Sequence, residues 1–191
     1  MENNFFKKPP FWYGLYYGIA SVVFFTLIYA FNFAFFGRFF MLILVNIVIV
    51  VAFMIMGGMA HRKYSGGYLR YMDAVKALFY VGLIGYIINM VFSMIFVNYI
   101  DTEFNQNLQT LVKESTMEWM QSMNVPDEKI DEAMENIDNR MKDLNTPMAY
   151  VKQFFSSIAM SILFAFICAF FVRKNPPENY DEAVLVESNE S

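Results

Sequence analysis

One histidine and one cysteine are all this chain has with which to build a soft-metal site, a disulfide or a Cys–His nucleophile pair. A single thiol has no partner within the chain, so cysteine usage says nothing about redox compartment. Charge is scarce as well, at 17% of residues where about 25% is usual for a soluble domain. No HExxH, GxSxG, Walker-type or CxxC pattern occurs, so neither the common hydrolases nor the P-loop and dithiol enzymes find support. His61 beside Arg62 and Lys63 reads as part of a basic helix end, and Cys168 among Phe166, Ile167 and Phe170 as an inert packing thiol. No enzyme, no cofactor and no metal are expected. The basic residues follow the edges of apolar runs, so nucleic acid is not an expected partner.

What the chain has in excess is apolar bulk. Hydrophobic residues make up 57% of it, with 22 Phe, 12 Tyr and 15 Met, against 9 Gly and 6 Pro. That composition belongs to long membrane helices. Residues 11–36 carry no charge and would reach ~39 Å as a helix, more than the ~30 Å hydrocarbon core requires. The run is too long for a signal peptide and lacks a small-x-small cleavage site, so it is expected to be retained. Trp12, Tyr13, Tyr16 and Tyr17 supply an interfacial aromatic belt at its start.

Three more spans follow. Gly37, suited to a left-handed cap, and Arg38 form a tight connection to a second uncharged span at residues 39–60. After His61-Arg62-Lys63 and the Gly66-Gly67 break, Asp73 is the expected N-cap of a third span at residues 74–99. Thr146-Pro147 supplies an N-cap and an N1 proline for the fourth, residues 147–172. The fold class is thus an all-α membrane protein with four transmembrane helices. Residues 1–10 form a lead, 11–100 a three-span region, 101–146 an acidic interval, 147–174 the last span and 175–191 a disordered acidic tail. Lys7, Lys8, Arg62, Lys63, Arg70, Lys76, Arg173 and Lys174 fall on one side, which predicts cytoplasmic termini and an extracytoplasmic interval.

From 101 to 150 the chain holds eleven acidic and four basic residues, a net charge of −7. Asp101 is placed to cap a helix over residues 102–123, with Phe104, Leu108, Leu111, Val112, Trp119, Met120 and Met123 largely on one face. Pro126 separates it from a second helix, residues 126–144, whose Ile130, Met134, Ile137, Met141 and Leu144 recur at steps of three and four. Neither stripe can be buried by its own helix, so an amphipathic hairpin is expected to pack on itself, the bilayer, a second copy or an envelope partner.

Polar and small residues inside the spans form a second set of candidates: Gly14, Gly18, Asn46, Gly82, Gly85, Asn89, Ser157 and Ser161. Close helix packing is one reading, since small residues let backbones approach and Asn or Ser bond across helices. A midmembrane polar site around Asn46, Asn89 and Ser161, as in a small channel or carrier, is the other. An intramembrane charge would normally accompany such a site.

Three features in order resemble a bacterial membrane family known as domain of unknown function 4199. They are Gly66-Gly67-Tyr68-Leu69-Arg70-Tyr71-Met72-Asp73-Ala74 before the third span, Tyr99-Ile100-Asp101 with Met123-Asn124-Val125-Pro126-Asp127-Glu128-Lys129-Ile130 in the interval, and a last span ending in a basic residue and proline. The resemblance covers roughly residues 10–177 and implies a four-helix integral membrane protein, with no established activity and therefore no functional residues to carry over; the expected location is the bacterial inner membrane. Where many relatives are expected to have proline after the aspartate, this chain has Thr102. The leading functional expectation is a non-enzymatic interaction or scaffold protein using the hairpin, with the small channel or carrier as the alternative.

Overall fold

A computed structural model describes residues 7–142 and 146–177. Leu144 of the second stripe and the acidic tail from residue 178 onward lie outside the described residues. Six helices follow one another: α1 (Pro9–Phe31), α2 (Phe39–Tyr64), α3 (Tyr71–Ile95), α4 (Phe104–Ser122), α5 (Asp127–Lys142) and α6 (Pro147–Val172). Helices α1, α2, α3 and α6 are long and apolar enough to cross a membrane. Among the described residues there is no strand, only one antiparallel backbone pair between Leu69 and Lys174.

Prolines at its first two positions start α1, because their missing N–H groups would be unpaired there in any case. The helix stops at Phe31, short of residue 36. Asn32 breaks it with φ −154° and ψ 70°, outside the helical region, and Phe33–Gly37 continue as a 3₁₀ turn. In a 3₁₀ turn residues three apart eclipse, so Phe33 and Phe36 lie on one side, their centroids 5.5 Å apart. That pairing feeds an aromatic cluster, and tertiary packing overrides a local preference for helix. Gly37 is not left-handed; among the described residues only Asn124, Gly66 and Gly67 have positive φ. It is glycine for lack of room, since a Cβ would run into Ser115 Oγ and Leu111 of α4.

Helix α2 continues past residue 60, placing His61, Arg62 and Lys63 in its last turn, where positive charge suits the helix dipole. Gly66 and Gly67 then reverse the chain with φ of 80° and 90°. The N-cap of α3 is Arg70 rather than Asp73, which sits within the first turn, 3.6 Å from Lys76. Starting α3 three residues early lets Tyr71 pack on α6, its hydroxyl donating to the Phe166 carbonyl at 3.1 Å. A π-helical turn, Phe96–Ile100, extends α3 to Asp101. At α6, Thr146 Oγ1 accepts the Ala149 N–H at 3.2 Å, the expected cap.

Helix α3 is central, packing on α1, α2 and α6. Met54, Leu78, Val81, Cys168 and Val172 fill the core at its contacts with α2 and α6. The α1–α3 seam is closer still. A Cβ on Gly14 would lie 2.8 Å from Ile84 Cβ, one on Gly18 would lie 2.6 Å from Ile88 Cδ1, and one on Gly85 would overlap the Tyr17 ring. Lipid is as apolar as these side chains, so such close fit, rather than water exclusion, holds the spans together.

Candidate functional site

Two ends of the bundle differ in kind. At one, α1 and α3 begin and α2 and α6 finish; this is the terminal end. At the other, α4 and α5 are attached, and Phe104 is the point of attachment. Its ring is 5% exposed and meets Phe25, Tyr29, Phe33, Phe36 and Phe96 at centroid distances of 5.3–6.1 Å, mostly edge to face or tilted. Three separate segments, α1, the 3₁₀ turn and the π-helical turn, therefore converge on one residue of α4.

Asp101 reinforces the junction. One carboxylate oxygen accepts the Tyr29 hydroxyl at 2.9 Å and the other the Glu103 N–H at 3.1 Å. It thus closes the turn before α4, and the helix begins two residues later than expected, at Phe104. Leu108 and Leu111 pack against the same aromatic cluster, and the Gly37 surface admits Ser115.

Helix α5 folds back on α4 through Asn124, whose φ of 53° turns the chain. Gln109 Nε2 donates to Asp138 at 2.7 Å, and Lys113 Nζ reaches both Asp138 oxygens at 2.8 Å. The ion pair is about one-third exposed on each side, so it fixes register and contributes little, about 0–1 kcal/mol. The larger contribution is apolar: Ile130 and Met134 are 5% and 9% exposed.

This placement divides the candidate face. Phe104, Leu108 and Leu111 turn toward the bundle, and Ile130 and Met134 are buried rather than presented to a partner. Trp119, Ile137 and Met141 instead line an open groove of about 1310 Å³ between the helix pair and the α1–α2 tip. Leu111, which touches both the aromatic cluster and the groove, adds to the apolar lining with Val112 from α4 and Met41 from α2, while Arg38, Glu114 and Glu118 bring charge to it. Val112 belongs to the stripe legible in the sequence, whereas Met41 was invisible as a site residue, because nothing in the local sequence says that the tip of one hairpin will face the side of another.

A family model described as a protein of unknown function, DUF4199, matches residues 12–174. The chain belongs to the DUF4199 family. No curated protein and no solved structure matches it.

The intramembrane candidates of this DUF4199 protein are distributed along the bundle. Gly14, Gly18 and Gly85 lie in the α1–α3 seam, and Gly82 abuts Ser161 and Met54. Ser161 donates a long bond, 3.5 Å, to the Phe79 carbonyl, and Ser157 bonds Phe154 of its own helix. Asn46 and Asn89 donate to carbonyls one turn back, Leu42 at 3.1 Å and Gly85 at 2.8 Å. Since Ser161 faces Gly82, Asn89 lies about 10 Å further along α3 at ~1.5 Å per residue, and the two do not share a cluster. Asn46 is exposed on the outside of α2. Asn46→Leu is therefore expected to change stability by no more than about 0.5 kcal/mol in a detergent unfolding titration. A loss above about 2 kcal/mol would mean that it bonds across helices. Among the described residues, no three His, Cys, Asp or Glu side chains are grouped to hold a metal ion.

Proposed function

We propose that this DUF4199 protein is a non-enzymatic interaction protein, and that the groove beside α4 and α5 receives an amphipathic helix of a partner protein with basic residues on its polar edge. The observation behind this reading is the groove itself: a large apolar trough bounded by well-anchored helices, with Glu114 and Glu118 one turn apart on its rim. Helix-in-groove recognition uses such an apolar floor, and two carboxylates against the single Arg38 favour a cationic edge. The acidic interval extends the same sign of potential over the whole layer. The concentration of basic residues at the opposite end supports an orientation with the termini in the cytoplasm and this layer outside, and the family resemblance supports the cytoplasmic membrane of a bacterium as the setting. No comparable observation favours the channel or carrier, since Asn46, Asn89 and Ser161 do not converge.

Trp119 is its own reporter. With only two tryptophans in the chain, Trp12→Phe leaves its fluorescence alone, and Trp12 lies at the far end of α1. A synthetic amphipathic helix of Lys and Leu, added to the full chain in phosphatidylcholine nanodiscs, is expected to shift Trp119 emission to the blue at micromolar concentrations. A permuted peptide of the same composition should not do so. Glu114→Gln with Glu118→Gln is expected to weaken binding about tenfold, near 1.4 kcal/mol for two rim charges. Equal responses to both peptides, or none, would overturn the reading. A benzophenone at position 137 that joins two copies of the chain would also overturn it, giving the groove to a second copy.

A further inference from the structure

The terminal end of the bundle contains a second cavity, of about 570 Å³, between the first turns of α1 and α3 and the last turn of α2. Its lining is charged where the groove is apolar. Lys8 precedes α1, His61 lies in the last turn of α2, and Arg70, Asp73 and Lys76 belong to the start of α3. Three cations face one carboxylate, a formal excess of two positive charges before His61 is counted. Helix α3 opens here with no side chain bonding its free N–H groups, so the positive end of its dipole adds to the same field.

Within the lining Lys76 lies 3.6 Å from Asp73, and three cations outside it are engaged elsewhere. Arg62 donates to the Val172 carbonyl at 3.1 Å and closes the end of α6, Arg173 lies over the rings of Tyr71 and Phe170, and Lys174 lies over Tyr68. Buried Leu69 and Ala77, with the Tyr68 and Tyr80 rings, give the cavity apolar walls beside its charges.

We propose that this cavity binds a phosphate ester, and that its occupant in the membrane is the headgroup of an anionic phospholipid. The location is decisive for the source: the cavity lies where four spans reach the bilayer edge, the depth at which lipid phosphates sit and at which basic pockets between spans take acidic headgroups. The proposal does not depend on the occupant of the groove at the other end.

Native mass spectrometry of the full chain in mild detergent tests it, with phosphatidylglycerol, phosphatidylcholine and glycerol phosphate as probes. Phosphatidylglycerol is expected to bind at least tenfold more tightly than phosphatidylcholine. Lys76→Gln, at a side chain 70% exposed and so harmless to folding, should reduce that preference about threefold, and Lys8→Gln with Lys76→Gln about tenfold. Lys63→Gln removes an exposed charge at the same end but outside the cavity and should leave the preference unchanged. An equal loss with Lys63→Gln would overturn the proposal by showing a diffuse surface charge, and so would equal binding of both lipids. Displacement of the lipid by equimolar glycerol phosphate would support the phosphate-ester site and overturn the lipid as its occupant.

Discussion

Replacing Phe104 by Ala is expected to unfasten α4 and α5 from the bundle while leaving the four spans folded. The ring is the one contact shared by Phe25, Tyr29, Phe33, Phe36 and Phe96, and truncating a buried Phe costs about 3–5 kcal/mol. Helix α5 rests chiefly on α4, so it leaves with α4 rather than holding it in place. The core around Met54, Leu78 and Val172 is a separate cluster and loses nothing. Hydrogen exchange in nanodiscs reads the difference directly. Amides of α4 and α5 should lose at least about 100-fold in protection, the equivalent of roughly 3 kcal/mol, with α1, α2, α3 and α6 unchanged. Uniform loss over all six helices would refute the separation of the two layers. Peptide binding at Trp119 should fail in the same variant, because the groove needs both the helix pair and the tip it faces.

Gly85→Ala is expected to do the opposite, loosening the spans themselves. The added methyl would overlap the Tyr17 ring across the α1–α3 seam, the most extensive contact in the bundle. A core forced to accept extra volume typically loses about 1–3 kcal/mol. Here the upper end is expected, because helices in lipid are held by fit and have no water to exclude when they separate. The check is a double-mutant cycle with Tyr17→Ala in a detergent unfolding titration. Removing the ring should erase most of the cost of Gly85→Ala, a coupling of about 2 kcal/mol. Additive losses would show that the methyl is harmful for some reason other than that ring.

Much of the fold is legible in the sequence because length and charge are enough to define a span. The four apolar runs, the Thr146 cap and the small residues of the α1–α3 seam are local statements, and local statements survive folding. What was not legible depends on contacts between distant segments. Residues 32–37 look like the end of a span, and only the ring of Phe104 explains why the chain leaves the helix at Asn32. Asp73 has the residue type of an N-cap, but Tyr71 is drawn into the helix by its packing on α6. Asp101 has the same type and spends one oxygen on Tyr29, from another span, and the other on the turn before α4. For the candidate site the same division holds. The stripes on α4 and α5 are periodic and readable, whereas which half of the α4 stripe is covered depends on the distant aromatic cluster, and which half of the α5 stripe on its docking against α4. Ile130 and Met134 were indistinguishable from Ile137 and Met141 by spacing, and only docking separates them.

The backbone pair between Leu69 and Lys174 is small, two hydrogen bonds of 2.8 and 3.0 Å, yet it constrains the order of assembly. It joins the turn before α3 to the residues just beyond α6, so it forms only after the last span has been synthesised and inserted. Pro176, which also lines the cationic cavity, arrives by the same event. A chain halted before its final span would insert three helices but would lack that wall. The binding property at the terminal end is therefore acquired last, and it distinguishes a finished bundle from an unfinished one.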